Sequence, residues 1–201
     1  MSRQYVFASG NQGKLREMVR LLQPLGFLVR PQSEWQVPEA EETASTFLEN
    51  SLIKARNAAR ITGLPVIADD SGLVVPALNG APGIYSARYA GTDADSQANI
   101  RKLLLDLERQ PGIERWAYFF CAVVLLDSED DPAPLVATAR WHGRILMTPQ
   151  GVGGFGYDPV FAALGSQRSA AELDGDEKQQ VSHRGQALRK LLKELEDRAT
   201  D

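Results

Sequence analysis

Along the 201-residue chain, four groups of residues combine types and spacings that can do chemistry. The first is Ser9-Gly10-Asn11-Gln12-Gly13-Lys14, set between the β-prone run Tyr5 to Ala8 and a stretch in which Leu15, Met18, Val19 and Leu22 recur at helical spacing. Small residues let a backbone approach a ligand, a helix start offers unpaired N–H groups, and Lys14 adds a mobile positive charge, all suited to phosphate oxygens. It is not a Walker A loop, because Gly10 and Gly13 are too close together and Leu15, not Ser or Thr, follows the lysine.

The second group is carboxylate. Glu39, Glu41 and Glu42 precede a long amphipathic stretch, and Asp69-Asp70 end the apolar run Val66-Ile67-Ala68. Side chains at the carboxyl edge of a sheet face a ligand crevice, and hard oxygens suit Mg²⁺, which prefers a few carboxylates, waters and phosphate oxygens. Two adjacent carboxylates in a partly buried site are expected to need a cation, a proton or a basic group beside them.

The third group is Gly151-Val152-Gly153-Gly154-Phe155-Gly156-Tyr157-Asp158-Pro159, which formally contains G-x-G-x-x-G. A dinucleotide fingerprint requires a helix immediately afterwards, whereas Pro159 and the β-prone Val160-Phe161 follow. What the loop offers instead is two aromatics and a carboxylate, the materials for stacking a planar base and reading its edge. The fourth is Ser182-His183-Arg184-Gly185, close after Lys178 and at the head of the last helix, where imidazole, guanidinium and N–H groups can donate to a carbonyl or oxyanion. His142 and Cys121 lie in β-rich segments without metal-ligand spacing and are read as structural.

These groups need elements to position them. The pattern predicts a strand over Tyr5 to Ala8, a helix stopping before Pro24, and a strand over Phe27 to Arg30. A long helix capped by Thr43 or Ser45 follows and ends at Gly63, then a strand over Pro65 to Asp69 with a turn at Ser71-Gly72. A helix capped by Asp93 or Asp95 carries Ile100, Leu103, Leu104 and Leu107. Arg115 to Leu126 and Leu135 to Met147 read as a large hairpin around the acidic run Asp127 to Asp131, which reads as a solvated turn, and the final helix buries Leu188, Leu191, Leu192 and Leu195. Strand–helix alternation followed by an antiparallel pair predicts an α/β fold with a mixed sheet, in one domain over 1–201, with two lobes sharing the sheet.

Composition narrows the classes. Hydrophobic residues make up 43%, enough for a core, and the formal charge of -4 leaves no field to hold a nucleic-acid polymer, so phosphate recognition must be local. A single cysteine excludes a disulfide framework, and no apolar run approaches a bilayer span. The start, MSRQYVFASG, lacks the design of a signal peptide, and a cytoplasmic setting is expected.

Together, SGNQGK, TFLENSLIKA, IADDSGL, GAPGIYSARYAG, GGFGYDPVF and SHRGQAL, in this order and spacing, resemble the inosine triphosphate pyrophosphatase family from about Val6 to Leu192. Within that family the chain is most similar to the bacterial enzymes acting on dITP, ITP and XTP. One departure is Ala44, where the family pattern E-E-T-G has glycine. The resemblance implies an elongated mixed sheet with flanking helices, an active-site cleft between two lobes, a homodimer, and hydrolysis of a purine nucleoside triphosphate to monophosphate and pyrophosphate.

Carried onto this chain, it implies that Ser9, Gly10, Asn11, Gln12, Gly13 and Lys14 hold the triphosphate. Glu42 and Asp70, with Glu41 and Asp69, would hold Mg²⁺, and Asp70 would serve as base. Ser71 would add a substrate contact, and Phe155, Gly156, Tyr157, Asp158, Lys178, His183 and Arg184 would form the base and sugar pocket, His183 and Arg184 donating to a 6-oxo group. A pyrophosphatase for another modified nucleotide, a nucleotide-binding regulator without turnover, and, more remotely, a dehydrogenase are the competing classes.

Overall fold

The computed structural model describes residues 3–93, 95–110 and 112–198. Strands and α-helices alternate as expected over the first part of the chain: β1 (Arg3–Phe7), α1 (Gln12–Leu22), β2 (Phe27–Pro31), α2 (Phe47–Thr62), β3 (Val66–Val74) and α3 (Ser96–Glu108). Then come β4 (Trp116–Leu126), β5 (Leu135–Ile145), β6 (Phe161–Ala163), α4 (Gly175–Val181) and α5 (His183–Arg198). The strands form one sheet in the order β2-β1-β3-β4-β5-β6. β1 runs parallel to both β2 and β3, whereas β5 and β6 are antiparallel, so the sheet is mixed.

The chain divides into two compact units. The first comprises residues 1–70, 121–139 and 184–201, and the second 71–120 and 140–183. In the first unit β1, β3 and β4 are buried on both faces, and alternate side chains serve opposite cores. Tyr5, Phe7, Ile67, Cys121, Val123 and Leu125 pack against Met18 and Leu22 of α1 and Leu188 and Leu191 of α5. Val6, Ala8, Val66, Ala68, Val124 and Leu126 pack against Ala55, Ala58 and Ala59 of α2. Those alanines let the helix approach the sheet closely, and double-sided burial explains the unbroken apolar run along β4.

In the second unit, Ile100, Leu103 and Leu107 of α3 pack in one cluster with Leu73, Val75, Phe119, Trp141, Ile145, Tyr157 and Phe161. β5 is buried at every second residue from Ala137 to Ile145, the mark of a strand with one solvated face.

Several local expectations are corrected. α2 is capped by Thr46, not Thr43 or Ser45: its Oγ1 accepts the Glu49 N–H at 3.2 Å and donates to the Glu49 carboxylate at 2.7 Å. Ser71-Gly72 makes no turn, because β3 runs straight through it. The acidic run is not wholly solvated: Asp131 is 7% exposed and accepts the N–H groups of Asp127 and Ala133. Helix α4, which carries Lys178, was not expected at all. No helix among the described residues is long and apolar enough to cross a membrane.

Candidate active site

The first unit contributes a loop and a charge network. β1 ends at Phe7, the Ala8 N–H is held by the Ile67 carbonyl, and the chain bends through Ser9 to Asn11 into α1. Ser9 Oγ accepts the Asn11 N–H at 3.2 Å, and Asn11 Oδ1 caps the helix by accepting the Lys14 N–H at 3.1 Å. These two side chains fix the loop, leaving N–H groups of the first turn, at the positive end of the helix dipole, for an anion. Lys14 does not dangle: its Nζ lies 3.2 Å from Asp69 Oδ2.

Asp69 and Asp70 make their direct ion pairs with different helices. On a strand, neighbours point to opposite faces. Asp69, fully buried, meets α1 and α5 side chains: Oδ2 receives Lys14, Arg184 Nε at 3.2 Å and the Cys121 thiol at 3.9 Å. Its other oxygen, Oδ1, has no hydrogen-bond partner among the described residues. Asp70 meets α2 instead: Lys54 Nζ sits 3.2 Å from Asp70 Oδ1 and 2.6 Å from Glu42 Oε1. Each carboxylate therefore has its own cation, and the expected mutual repulsion is relieved by geometry as well as by charge.

The environments push the two aspartates apart. Burial opposes ionisation of Asp69, but Lys14, Arg184 and Lys54 outweigh it and hold its carboxyl below the ordinary range. For Asp70, burial prevails over Lys54 and Lys14, with Glu42 and Asp69 adding to it, and the carboxyl is raised above 3.8. Lys54 is raised despite burial, because Asp70, Asp69 and Glu42 surround it. Burial likewise pushes the Cys121 thiol up, with Asp69 adding to it, which keeps the sulfur neutral.

Arg184 has two carboxylate partners. Its guanidinium is 2% exposed and committed within the first unit to Asp69 and to Glu17 of α1. Glu41 is exposed, its carbonyl accepting the Thr43 N–H. Ala44 donates its N–H to Asn50 Oδ1 at 3.0 Å, so Asn50 ties the segment carrying Glu42 to α2. Ala44 is not among the residues with positive φ, which is why alanine replaces the family's glycine without strain.

The second unit holds the remaining predicted residues. Asp158, 3% exposed, braces the glycine loop: Oδ2 accepts the Phe155 N–H at 2.8 Å and the Lys178 ammonium at 2.6 Å. Lys178 Nζ also lies 4.6 Å from the centre of the Phe155 ring, a cation–π distance. Gly154 is required here, since its φ is 70° and a Cβ would fall 2.1 Å from Asp158 Oδ2. Gly156, also at positive φ, follows, while Tyr157 turns into the core and donates its hydroxyl to the Ser86 carbonyl at 2.9 Å. Ser71 is half-buried on β3. His183 is 6% exposed, its ring stacked on Phe119.

Among the described residues no cluster of three or more His, Cys, Asp or Glu side chains forms a metal cage. The donor set nevertheless fits a hard divalent cation: the Glu42 and Asp70 oxygens already converge on one cationic atom, Lys54 Nζ, and leave coordination places for water and phosphate.

The model of the Ham1 family matches residues 5–194. The chain belongs to the Ham1 family. This Ham1 chain is 55% identical over 195 residues to a dITP/XTP pyrophosphatase of Vibrio cholerae, covering 97% of this chain and 98% of that protein. It is 53% identical over 192 residues to a dITP/XTP pyrophosphatase of Photobacterium profundum, covering 96% and 98%. The solved structure of a HAM1 protein from Coxiella burnetii superposes with a TM-score of 0.90 at 50% identity, over 97% of this chain and 99% of that one.

Sequence reasoning missed Lys54, Glu17 and Phe119 in this Ham1 chain. Lys54 carried a signal: it stands four residues from Asn50 and from Ala58, both buried, so a lysine lies on the inward stripe of α2. Glu17, three residues after Lys14 on α1, shares its face.

Proposed function

We propose that the chain hydrolyses non-standard purine nucleoside triphosphates, dITP, ITP and XTP, to the monophosphate and pyrophosphate. The observation that carries this reading is the Lys54-bridged pair Glu42 and Asp70, in the same compact unit as a helix-start loop with its own lysine. It is supported by the 55%-identical Vibrio cholerae relative, which is named a dITP/XTP pyrophosphatase.

First-turn N–H groups of α1, the Asn11 amide group and Lys14 bind the triphosphate. Glu42 and Asp70 hold Mg²⁺, with Glu41 within the same acidic segment. Asp69 serves by anchoring Lys14 and Arg184. The ion, when bound, screens the phosphate charge and acidifies nearby water. Asp70 accepts the proton of the water that attacks the α-phosphorus. Lys14 and Lys54 offset the charge that gathers on the departing pyrophosphate.

The second unit supplies base recognition. Phe155, braced by Asp158 and Lys178, stacks on the purine, and Ser71 adds a polar contact. His183 donates to the 6-oxo group that hypoxanthine and xanthine carry and adenine lacks, which leaves a buried donor unmatched when adenine binds. We further infer a homodimer and a cytoplasmic setting, the latter from a single cysteine that is buried and unpaired.

A panel of nucleoside triphosphates with pyrophosphate detection, run with and without EDTA, tests the reading. Turnover of ITP, dITP and XTP far above ATP, abolished by EDTA and restored by Mg²⁺, is expected. Preference for a pyrimidine or another modified nucleotide, or binding without turnover, overturns it.

A further inference from the structure

The second unit sets His183 among three aromatic rings, Phe119, Trp141 and Phe161, to which the sequence patterns assign no function. Phe119 of β4 and His183 at the start of α5 lie with ring centres 4.8 Å apart and planes 10° apart. Trp141 of β5 is nearly parallel to both, at 6.2 Å and 24° from Phe119 and 6.4 Å and 17° from His183. Phe161 of β6 meets Phe119 and Trp141 at 4.7 Å and 5.0 Å, tilted by 59° and 58°. Phe161 reaches this position because Gly143 has no side chain: a Cβ there would lie 2.6 Å from Phe161 Cζ and 2.2 Å from the Ala162 carbonyl oxygen.

We propose that Phe119 is a positioning residue for base recognition: its face sets the plane of the His183 imidazole and hence the direction in which the ring edge donates. This rests on the reading that His183 serves the 6-oxo group. The terminal torsion of histidine is broad, so the backbone of α5 alone leaves the plane of the ring unfixed. A face-to-face neighbour fixes it, and a hydrogen bond made by a ring nitrogen lies in that plane. Phe119 is held in turn by Trp141 beside it and by the tilted ring of Phe161, so it is a rigid support. The wall is apolar and buried, with Phe119 at 7%, Trp141 at 5% and Phe161 at 0% exposure. Phe119 itself touches no reacting atom in this reading.

The test uses the intact chain. It has two histidines, and His142→Gln assigns the two imidazole signals in a proton–carbon spectrum taken without substrate. Stacking predicts a His183 ring-proton signal shifted upfield by the Phe119 ring current. Phe119→Leu should move it downfield, whereas Phe119→Tyr, which keeps the ring, should not. In parallel, Phe119→Leu should raise KM for ITP about five- to tenfold, with kcat within about twofold of wild type, and lower the ITP over ATP ratio by the same factor. Phe119→Tyr should restore both values. Urea unfolding checks that the variants fold, and Phe119→Met, closer in volume, replaces the leucine variant if that one does not. An unmoved His183 signal, or an unmoved KM for ITP in a folded Phe119→Leu or Phe119→Met variant, overturns the proposal. Failure of the wild-type chain to hydrolyse ITP overturns the substrate reading instead, while the spectrum still reports whether Phe119 sets the imidazole.

Discussion

Replacing Arg184 by methionine should be among the most destabilising single changes in the first unit. The guanidinium is 2% exposed and pairs with Asp69, itself wholly buried, and with Glu17. Methionine preserves much of the side-chain length but leaves Asp69 with Lys14 alone on that oxygen, besides the thiol of Cys121, and leaves Glu17 without its buried cation. Removing one partner of a buried pair costs about 3–5 kcal/mol, a large share of the roughly 5–15 kcal/mol that holds a domain together. With a urea dependence of about 2 kcal/mol per molar, the unfolding midpoint should fall by ~1.5–2.5 M. Asp69→Asn removes the charge that Arg184 answers, so the double variant should lose less than the sum of the two single losses, by about 0.5–3 kcal/mol. Urea unfolding followed by circular dichroism for the four proteins of the cycle measures this. A midpoint shift below about 0.5 M for Arg184→Met, or strictly additive losses, would refute the buried network as the role of this arginine.

Two further changes probe different parts. Asp70→Asn should lower kcat for ITP by about 10²–10⁴ while KM stays within a few-fold, because a proton acceptor is lost and the shape kept; steady-state kinetics at saturating Mg²⁺ reads this. Asp131 tests linkage. Despite burial, the Asp127 and Ala133 N–H groups hold its carboxyl below 3.8 in the folded chain, so its contribution is complete above that value and is lost as pH falls through the depressed folded one. The urea-midpoint gap between wild type and Asp131→Asn should therefore narrow between about pH 6 and pH 3.

What could be read from the sequence follows from how local the governing physics is. The SGNQGK loop was legible because strand, small residues and helix follow one another within a few positions, and the caps Asn11 and Asp95 act on their own first turns. Thr46 is readable too: T-F-L-E from Thr46 to Glu49 has the capping-box spacing, although Thr43 and Ser45 offer competing hydroxyls within three positions. Ser71-Gly72 looked like a turn because those residues favour one; burial of β3 within the sheet overrides that preference. Helix α4, GDEKQQV, has no apolar period to betray it and stands on the capping box of Asp174 and Glu177. At the site, residue types were visible and partners were not. That Asp69 faces Lys14 and Arg184 while Asp70 faces Lys54 depends on which helix covers which face, and that the Arg184 guanidinium is spent on carboxylates depends on Glu17, 167 positions away. Such long-range pairings leave no mark in a single sequence.

The most direct measurement of the central claim is hydrolysis of ITP in ¹⁸O-water, with the label followed by mass spectrometry. Attack of water on the α-phosphorus, with Asp70 taking its proton, puts the heavy oxygen in inosine monophosphate and none in pyrophosphate. Label in pyrophosphate, or release of inorganic phosphate as the first product, would contradict it.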